Sequence, residues 1–248
     1  MVKQQTISQE QLAANIAQVQ SNIAEAAQEA GRRPDEITLV AVSKTMPIEL
    51  VRMAYNLNAL HEFRSLVLTN FGENRVQEAL AKIAAFHPQD VCWHMIGHLQ
   101  SNKAGRVVGS FDMVQSVDSL HLAQVLNRHA QEHGKRLPVL LQVNISGEAS
   151  KEGMSPAEAP EVARQIAMLP SIEVQGLMTI APLAQDPEEA RPVFRGLREL
   201  RDRFRDEVPE CSWHHLSMGM TDDYRVAIAE GATIVRIGRA IFGERPTP

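Results

Sequence analysis

Lys44 stands directly after the apolar run LVAVS (39–43) and is followed by Thr45, Met46 and Pro47. Desolvating an ammonium group is costly, so a lysine at the end of a buried strand is unusual. Partial burial favours the neutral amine, the nucleophile needed for Schiff-base chemistry on a carbonyl. The competing reading is a lysine that has already left the sheet, its stem on apolar surface and its charge in water.

Two further stretches read as anion holders. The first is Ser217-Met218-Gly219-Met220-Thr221-Asp222-Asp223, and the second is Val235-Arg236-Ile237-Gly238-Arg239. Glycine just past a strand lets backbone approach an anion closely. Thr221 reads as the N-cap of a helix whose first N–H groups point outward. Ser217, Gly219 and Gly238 together would cradle a phosphate, although ordinary turn glycines explain the same letters. Asp222 and Asp223 suit a helix dipole but would repel an anion if turned inward.

Polar residues also concentrate in Phe71-Gly72-Glu73-Asn74-Arg75 and in Trp93-His94-Met95-Ile96-Gly97-His98-Leu99-Gln100-Ser101-Asn102-Lys103. His94 and His98 are four apart, but on a strand entering a loop that is not the helical geometry of a zinc pair. His214 and His215 are adjacent and would face opposite ways on a strand. HExxH, CxxC, GxSxG, Walker A and GxGxxG are all absent, so no metal, no hydrolase triad and no dinucleotide site is expected.

These residues need elements to hold them. Eight β-rich runs recur: ITLVAVS (37–43), SLVLTNF (65–71), VCWHMIG (91–97), FDMVQSV (111–117), LPVLLQVNI (137–145), IEVQGLMTI (172–180), CSWHHLSM (211–218) and ATIVRIG (232–238). Most are too continuously apolar for half-exposed strands, which points to a parallel sheet covered on both faces. Helical spacing lies between them. Residues 8–30 carry Leu12, Ile16, Val19 and Ile23 with Ser8 as N-cap. Residues 119–133, 155–169 (opened by Ser155-Pro156) and 186–206 follow the same pattern. Eight strands with intervening helices in 248 residues predict an α/β fold, a single (β/α)8 TIM barrel with an extra N-terminal helix, one domain over 1–248. An open doubly wound sheet is the alternative. In a barrel, chemistry belongs at the C-terminal strand ends, where Lys44 and the two glycine loops fall.

Composition narrows the classes. With 25 Lys+Arg against 30 Asp+Glu the formal net charge is −5, too small a bias to argue for nucleic acid or an anionic membrane. At 44% hydrophobic and 22% charged residues the chain is not disordered. No apolar run approaches the roughly 18 residues of a membrane span, and the polar start does not read as a secretory signal. Two cysteines give no disulfide framework, so a reduced, cytoplasmic setting is expected.

Taken together, AVSKT (41–45), FGENRVQEAL (71–80), WHMIGHLQSNK (93–103), GLMTIAP (176–182), LSMGMTDDYRVAI (216–228) and RIGRAIFG (236–243) resemble the YggS/PROSC family of pyridoxal phosphate (PLP) homeostasis proteins. The matches cover nearly the whole chain in order, one at almost every strand end. The family's barrel is similar to the N-terminal domain of alanine racemase and to the barrel of ornithine decarboxylase.

The resemblance implies pyridoxal 5′-phosphate as cofactor, held as an internal aldimine on Lys44. It implies that Ser217, Gly219 and Gly238, with the Arg239 backbone, hold the phosphate. Arg236 would face the pyridine nitrogen, and Asn74 with the 95–97 segment, Met95 included, would line the cofactor. No catalytic residue is assigned. An arginine beside the ring nitrogen weakens the electron sink that PLP enzymes usually strengthen with a carboxylate. The resemblance implies that related racemases draw a tyrosine from a second domain; no such domain is expected here, and neither Tyr55 nor Tyr224 has a claim to that role. The implied function is a PLP carrier that buffers or delivers the cofactor, with apo PLP-dependent enzymes as partners and a monomeric state. The alternative is a low-activity PLP-dependent amino acid racemase or decarboxylase. One departure stands out: NLNALHEFRSLVLTN (56–70) is longer than the short glycine-containing link usual in the family.

Overall fold

The computed structural model describes residues 7–57, 67–148 and 150–243. Its strands are β1 (Thr38–Val42), β2 (Asn70–Glu73), β3 (Cys92–Met95), β4 (Met113–Val117), β5 (Leu137–Gln142), β6 (Ile172–Met178), β7 (His215–Ser217) and β8 (Ile234–Ile237). The α-helices are α1 (Gln9–Glu29), α2 (Ile48–Asn56), α3 (Val76–Ala85), α4 (Ala104–Val108), α5 (Leu120–Glu132), α6 (Ala159–Ala167), α7 (Arg191–Glu207), α8 (Tyr224–Ala229) and α9 (Arg239–Phe242). Each strand pairs in parallel with the next, and β1 closes on β8 with Val40 opposite Arg236. This is the expected (β/α)8 barrel.

Strand alternation explains its two cores. On β1, Leu39 and Ala41 face outward and pack under the helices, while Val40 faces the interior. The interior apolar set is Val40, Met113, Leu140, Met178 and Ile234. The layer between sheet and helices is larger and includes Phe71, Trp93, Phe194 and Phe204, all fully buried. The extra N-terminal helix is α1. Ser8 Oγ accepts from Gln11 N at 3.1 Å and caps it. Leu12, Ile16, Val19 and Ile23 are its buried stripe, set against α8 and α9.

Three local expectations are corrected. The second strand is NFGE, not SLVLTNF: residues 67–69 precede it, and 65–66 lie outside the described residues. Alternation puts Asn70 and Gly72 on its inner face, and a Cβ at Gly72 would come 2.8 Å from Ile96 and 2.9 Å from Val40. Apolar pattern therefore does not mark it. Most of the long 56–70 link, residues 58–66, also lies outside the described residues. Helix α6 starts at Ala159, not at Ser155-Pro156; the Ser155 hydroxyl instead accepts from Glu158 N at 3.3 Å in the preceding turn. Likewise α8 starts at Tyr224, and Thr221 sits in the turn before it rather than at the N-cap. No helix among the described residues is long and apolar enough to cross a membrane.

Candidate functional site

A cavity of about 400 Å³ opens where the C-terminal ends of the strands meet, within the size range of small-molecule sites. Lys44, past β1, and Asn74, past β2, reach it from one side. Arg236, Gly238 and Arg239, from the end of β8 and the start of α9, reach it from the other. Thr221 and Asp222 close it from the β7–α8 turn, and Ile96, Ile180 and Leu183 supply apolar wall. Leu183 is 90% exposed, a lip at the mouth. Lys44 thus turns into the cavity rather than away from the sheet. Five of the eight site residues expected from the sequence converge here: Lys44, Asn74, Arg236, Gly238 and Arg239.

The other three do not. Ser217 is fully buried inside the barrel, and its hydroxyl is committed. It donates to Gln115 Oε1 at 2.7 Å and accepts from Arg236 Nη1 at 2.6 Å. Ser217 therefore supports Arg236 and is not a wall of the cavity; the hydroxyl that lines it is Thr221, four residues on. Gly219, at φ +93°, is required by close packing: a Cβ there would fall 2.6 Å from Ala227 Cβ and 2.9 Å from Tyr224 Cα. Its carbonyl accepts from Arg236 N at 3.0 Å. Met95 lies on the outer face of β3, in the layer under the helices, because successive side chains alternate. Its neighbour Ile96 lines the cavity instead.

Behind the cavity a hydrogen-bonded chain crosses the barrel. Asn70 Oδ1 meets His94 Nε2 at 2.9 Å, and His94 Nδ1 meets Gln115 Nε2 at 2.9 Å. Gln115 then binds Ser217, and Ser217 binds Arg236. Arg236 Nη2 also donates to Thr179 O at 2.8 Å. With Gln115 donating to Nδ1, His94 carries its proton on Nε2 and donates to Asn70. A second proton on Nδ1 would face an N–H donor. Burial pushes His94 down to about 4, with nearby His215 adding to the effect. Burial also pulls Arg236 down to about 10, against the pull of Asp223, so it stays charged at neutral pH.

The two aspartates are both occupied. Asp222 accepts from Arg239 Nη2 at 2.5 Å, which offsets its charge. Asp223 accepts from Met220 N at 2.6 Å, and burial raises its carboxyl. His94 and His98 part company: His98 lies on the rim, 3.3 Å from Asp118 and 3.6 Å from Glu152. The donor set around the cavity is an amine, two guanidinium groups, a hydroxyl and an amide, against one carboxylate that is already paired. Such a set suits an anionic, phosphorylated carbonyl compound.

Sequence reasoning missed Thr221 as a lining hydroxyl, and it missed Gln115 and Thr179 as supports of Arg236. Thr221 was within reach of the same strand-end argument that singled out its neighbours. Gln115 was not, because its partners lie 21 and 102 residues away.

Comparison with known proteins places these residues in context. Residues 11–246 match the family model described as the alanine racemase N-terminal domain. The chain is 42% identical over 230 residues to the pyridoxal phosphate homeostasis protein of Aquifex aeolicus, covering 93% of this chain and 96% of that one. It is 43% identical over 234 residues to the protein of the same description from Pseudomonas aeruginosa, covering 94% and 96%. Among solved structures it is similar to PipY of Synechococcus elongatus with PLP bound, at 36% identity and a TM-score of 0.80, covering 94% of this chain and all of that one.

Proposed function

The chain belongs to the alanine racemase N-terminal-domain family and, within it, to the pyridoxal phosphate homeostasis proteins, and from that premise we propose that it binds pyridoxal 5′-phosphate covalently through Lys44 and buffers or delivers it. The observation that carries this reading is the convergence of Lys44, Arg236, Thr221, Gly238 and Arg239 on one cavity. When bound, the cofactor supplies an aldehyde that condenses with a neutral amine, C=O giving way to C=N with loss of one water, reversibly and exchangeably with other amines. Lys44 offers the amine. Thr221, Gly238 and Arg239 would hold the phosphate, with Asp222 kept from repelling it by its bond to Arg239. Asn74, on the cavity wall, would lie against the ring. Arg236, charged and held by Ser217 and Thr179, would meet the ring nitrogen, where a carboxylate would be needed for a strong electron sink.

The racemase or decarboxylase alternative needs an acid on the face opposite Lys44. Tyr55 donates to Asp90 at 2.8 Å, and Tyr224 is buried on α8; neither lines the cavity. Carriage without robust catalysis fits that better. The proposal extends to a single PLP-binding domain over 1–248, monomeric and cytoplasmic, that hands the cofactor to apo PLP-dependent enzymes.

The test is absorbance before and after adding PLP, then borohydride reduction and peptide mass spectrometry. The adduct is expected on Lys44 and absent from Lys44→Ala. An adduct confined to other lysines, or no adduct at all, would overturn the proposal.

A further inference from the structure

Lys44 is flanked by two residues that are both tied to one buried ion cluster on the outer side of the barrel. Ser43, fully buried, donates from Oγ to Glu73 Oε1 at 2.7 Å. Its carbonyl accepts from Lys82 Nζ at 2.7 Å and from Met46 N at 3.0 Å, which closes a turn around Lys44. On the other side Thr45 N donates to Glu78 Oε1 at 2.5 Å. Lys82 Nζ joins the two halves, donating to Glu73 Oε1 at 2.8 Å and to Glu78 Oε1 at 2.7 Å. Thr45 holds φ at +66° and is the only non-glycine with positive φ among the described residues.

This arrangement is costly for a stabilising device. An ammonium and a carboxylate are both buried, and Glu73 Oε2 has no hydrogen-bond partner among the described residues. Apolar residues of similar volume are often as stable as a buried ion pair. A β-substituted residue in the left-handed region is held there only by its surroundings. What the cluster supplies is placement: it fixes the backbone on each side of one residue, and that residue is Lys44. We infer that Lys82, with Glu73 and Glu78, is a positioning set that aims the Lys44 amine into the cavity from behind. The inference rests on the proposed attachment at Lys44.

Two ligands separate aiming from folding. PLP needs the amine, whereas pyridoxine 5′-phosphate has the same ring and phosphate with an alcohol in place of the aldehyde. Glu78 is partly exposed, so Glu78→Ala is expected to leave a folded protein, checked by urea unfolding. In that variant the equilibrium constant for PLP attachment at Lys44 is expected to fall about tenfold, the scale of one hydrogen bond to a charged group, and pyridoxine phosphate affinity to change less than about twofold. Glu78→Gln, which keeps an acceptor for Thr45 N, should recover most of the attachment. Thr45→Gly relieves the backbone requirement and loosens the turn, and should show the same selective loss. Unchanged PLP attachment in both Glu78→Ala and Thr45→Gly, or equal loss of both ligands, would overturn the inference. If wild-type protein itself carries no adduct on Lys44, the failure belongs to the proposed function and shows before any variant is made.

Discussion

Two buried polar networks flank the cavity, one inside the barrel and one outside it. The inner chain from Asn70 through His94, Gln115 and Ser217 reaches Arg236. Its only charge is at the cavity end, and each link has one donor for one acceptor. The outer cluster of Glu73, Lys82 and Glu78 is made of charges and leaves one carboxylate oxygen without a partner. A barrel interior has little water and little room, so neutral groups of fixed polarity suit it. Beneath α3 the half-exposed Glu78 gives the cluster an edge in solvent. The inner chain holds a guanidinium still, and the outer one holds a stretch of backbone. If that contrast is right, the outer cluster should be sensitive to loss of a charge and the inner chain to gain of one.

Lys82→Met gives the largest expected effect. It leaves Glu73, fully buried, without its counter-ion, and breaking such a pair costs about 3–5 kcal/mol. Urea unfolding measures it. Adding Glu73→Gln to Lys82→Met should recover most of the loss, because the buried charge is gone. A single-variant cost below about 1 kcal/mol would mean that Lys82 is not paying for a buried charge, and the contrast would break.

pH sharpens the contrast because the two networks respond with opposite sign. His94 is pushed from 6.5 down to about 4 in the folded protein. Between those values the unfolded chain binds more protons than the folded one, so stability rises with pH across that window. The full difference is about 3 kcal/mol, at roughly 1.4 kcal/mol per unit. Burial raises the Glu73 carboxyl above its ordinary 4.5, with Lys82 pulling the other way. There the folded protein binds more protons, so the Glu73 contribution falls as pH rises through that region. Unfolding free energies from pH 4 to 7 should therefore lose their rising part in His94→Gln and become steeper in Glu73→Gln. Parallel curves for wild type and His94→Gln would show that the imidazole is not kept neutral by the fold.

The same physics explains what could be read from the letters. The strands β1 (TLVAV) and β5 (LPVLLQ) and the IVRI run of β8 are mostly apolar and announce themselves, and Lys44 and Gly238 follow because they come just past such strands. The interior of β2 is Asn70 and Gly72, which no hydrophobic pattern marks. Gln115 looks like an ordinary polar residue beside Ser116 in β4, and its role exists only through partners on β3 and β7. Glu78 and Lys82 are four apart on α3 and read as an ordinary solvated pair. Only the approach of Ser43 and Thr45, more than thirty residues earlier, gives them another meaning.

Ser217 and Thr221 supply the smallest and most discriminating comparison. They are four residues apart and both are hydroxyls near the end of β7, so sequence alone offered Ser217 as the phosphate donor. The structure spends Ser217 on Gln115 and Arg236 and leaves Thr221 on the cavity wall. Ser217→Ala removes the partner of two buried groups and should lower folding stability by about 1–2 kcal/mol. Thr221→Val leaves the interior chain intact and should weaken binding of pyridoxine 5′-phosphate by about 1–2 kcal/mol, the cost of one lost hydrogen bond to a charged group. Its folding stability should stay within about 0.5 kcal/mol of wild type, as expected for a change away from the core. Ligand titration and urea unfolding on both variants give four numbers. Were Ser217→Ala to lose phosphate-ligand affinity while Thr221→Val kept it, the hydroxyl assignments would be exchanged, and the inner chain would end at the ligand rather than behind it.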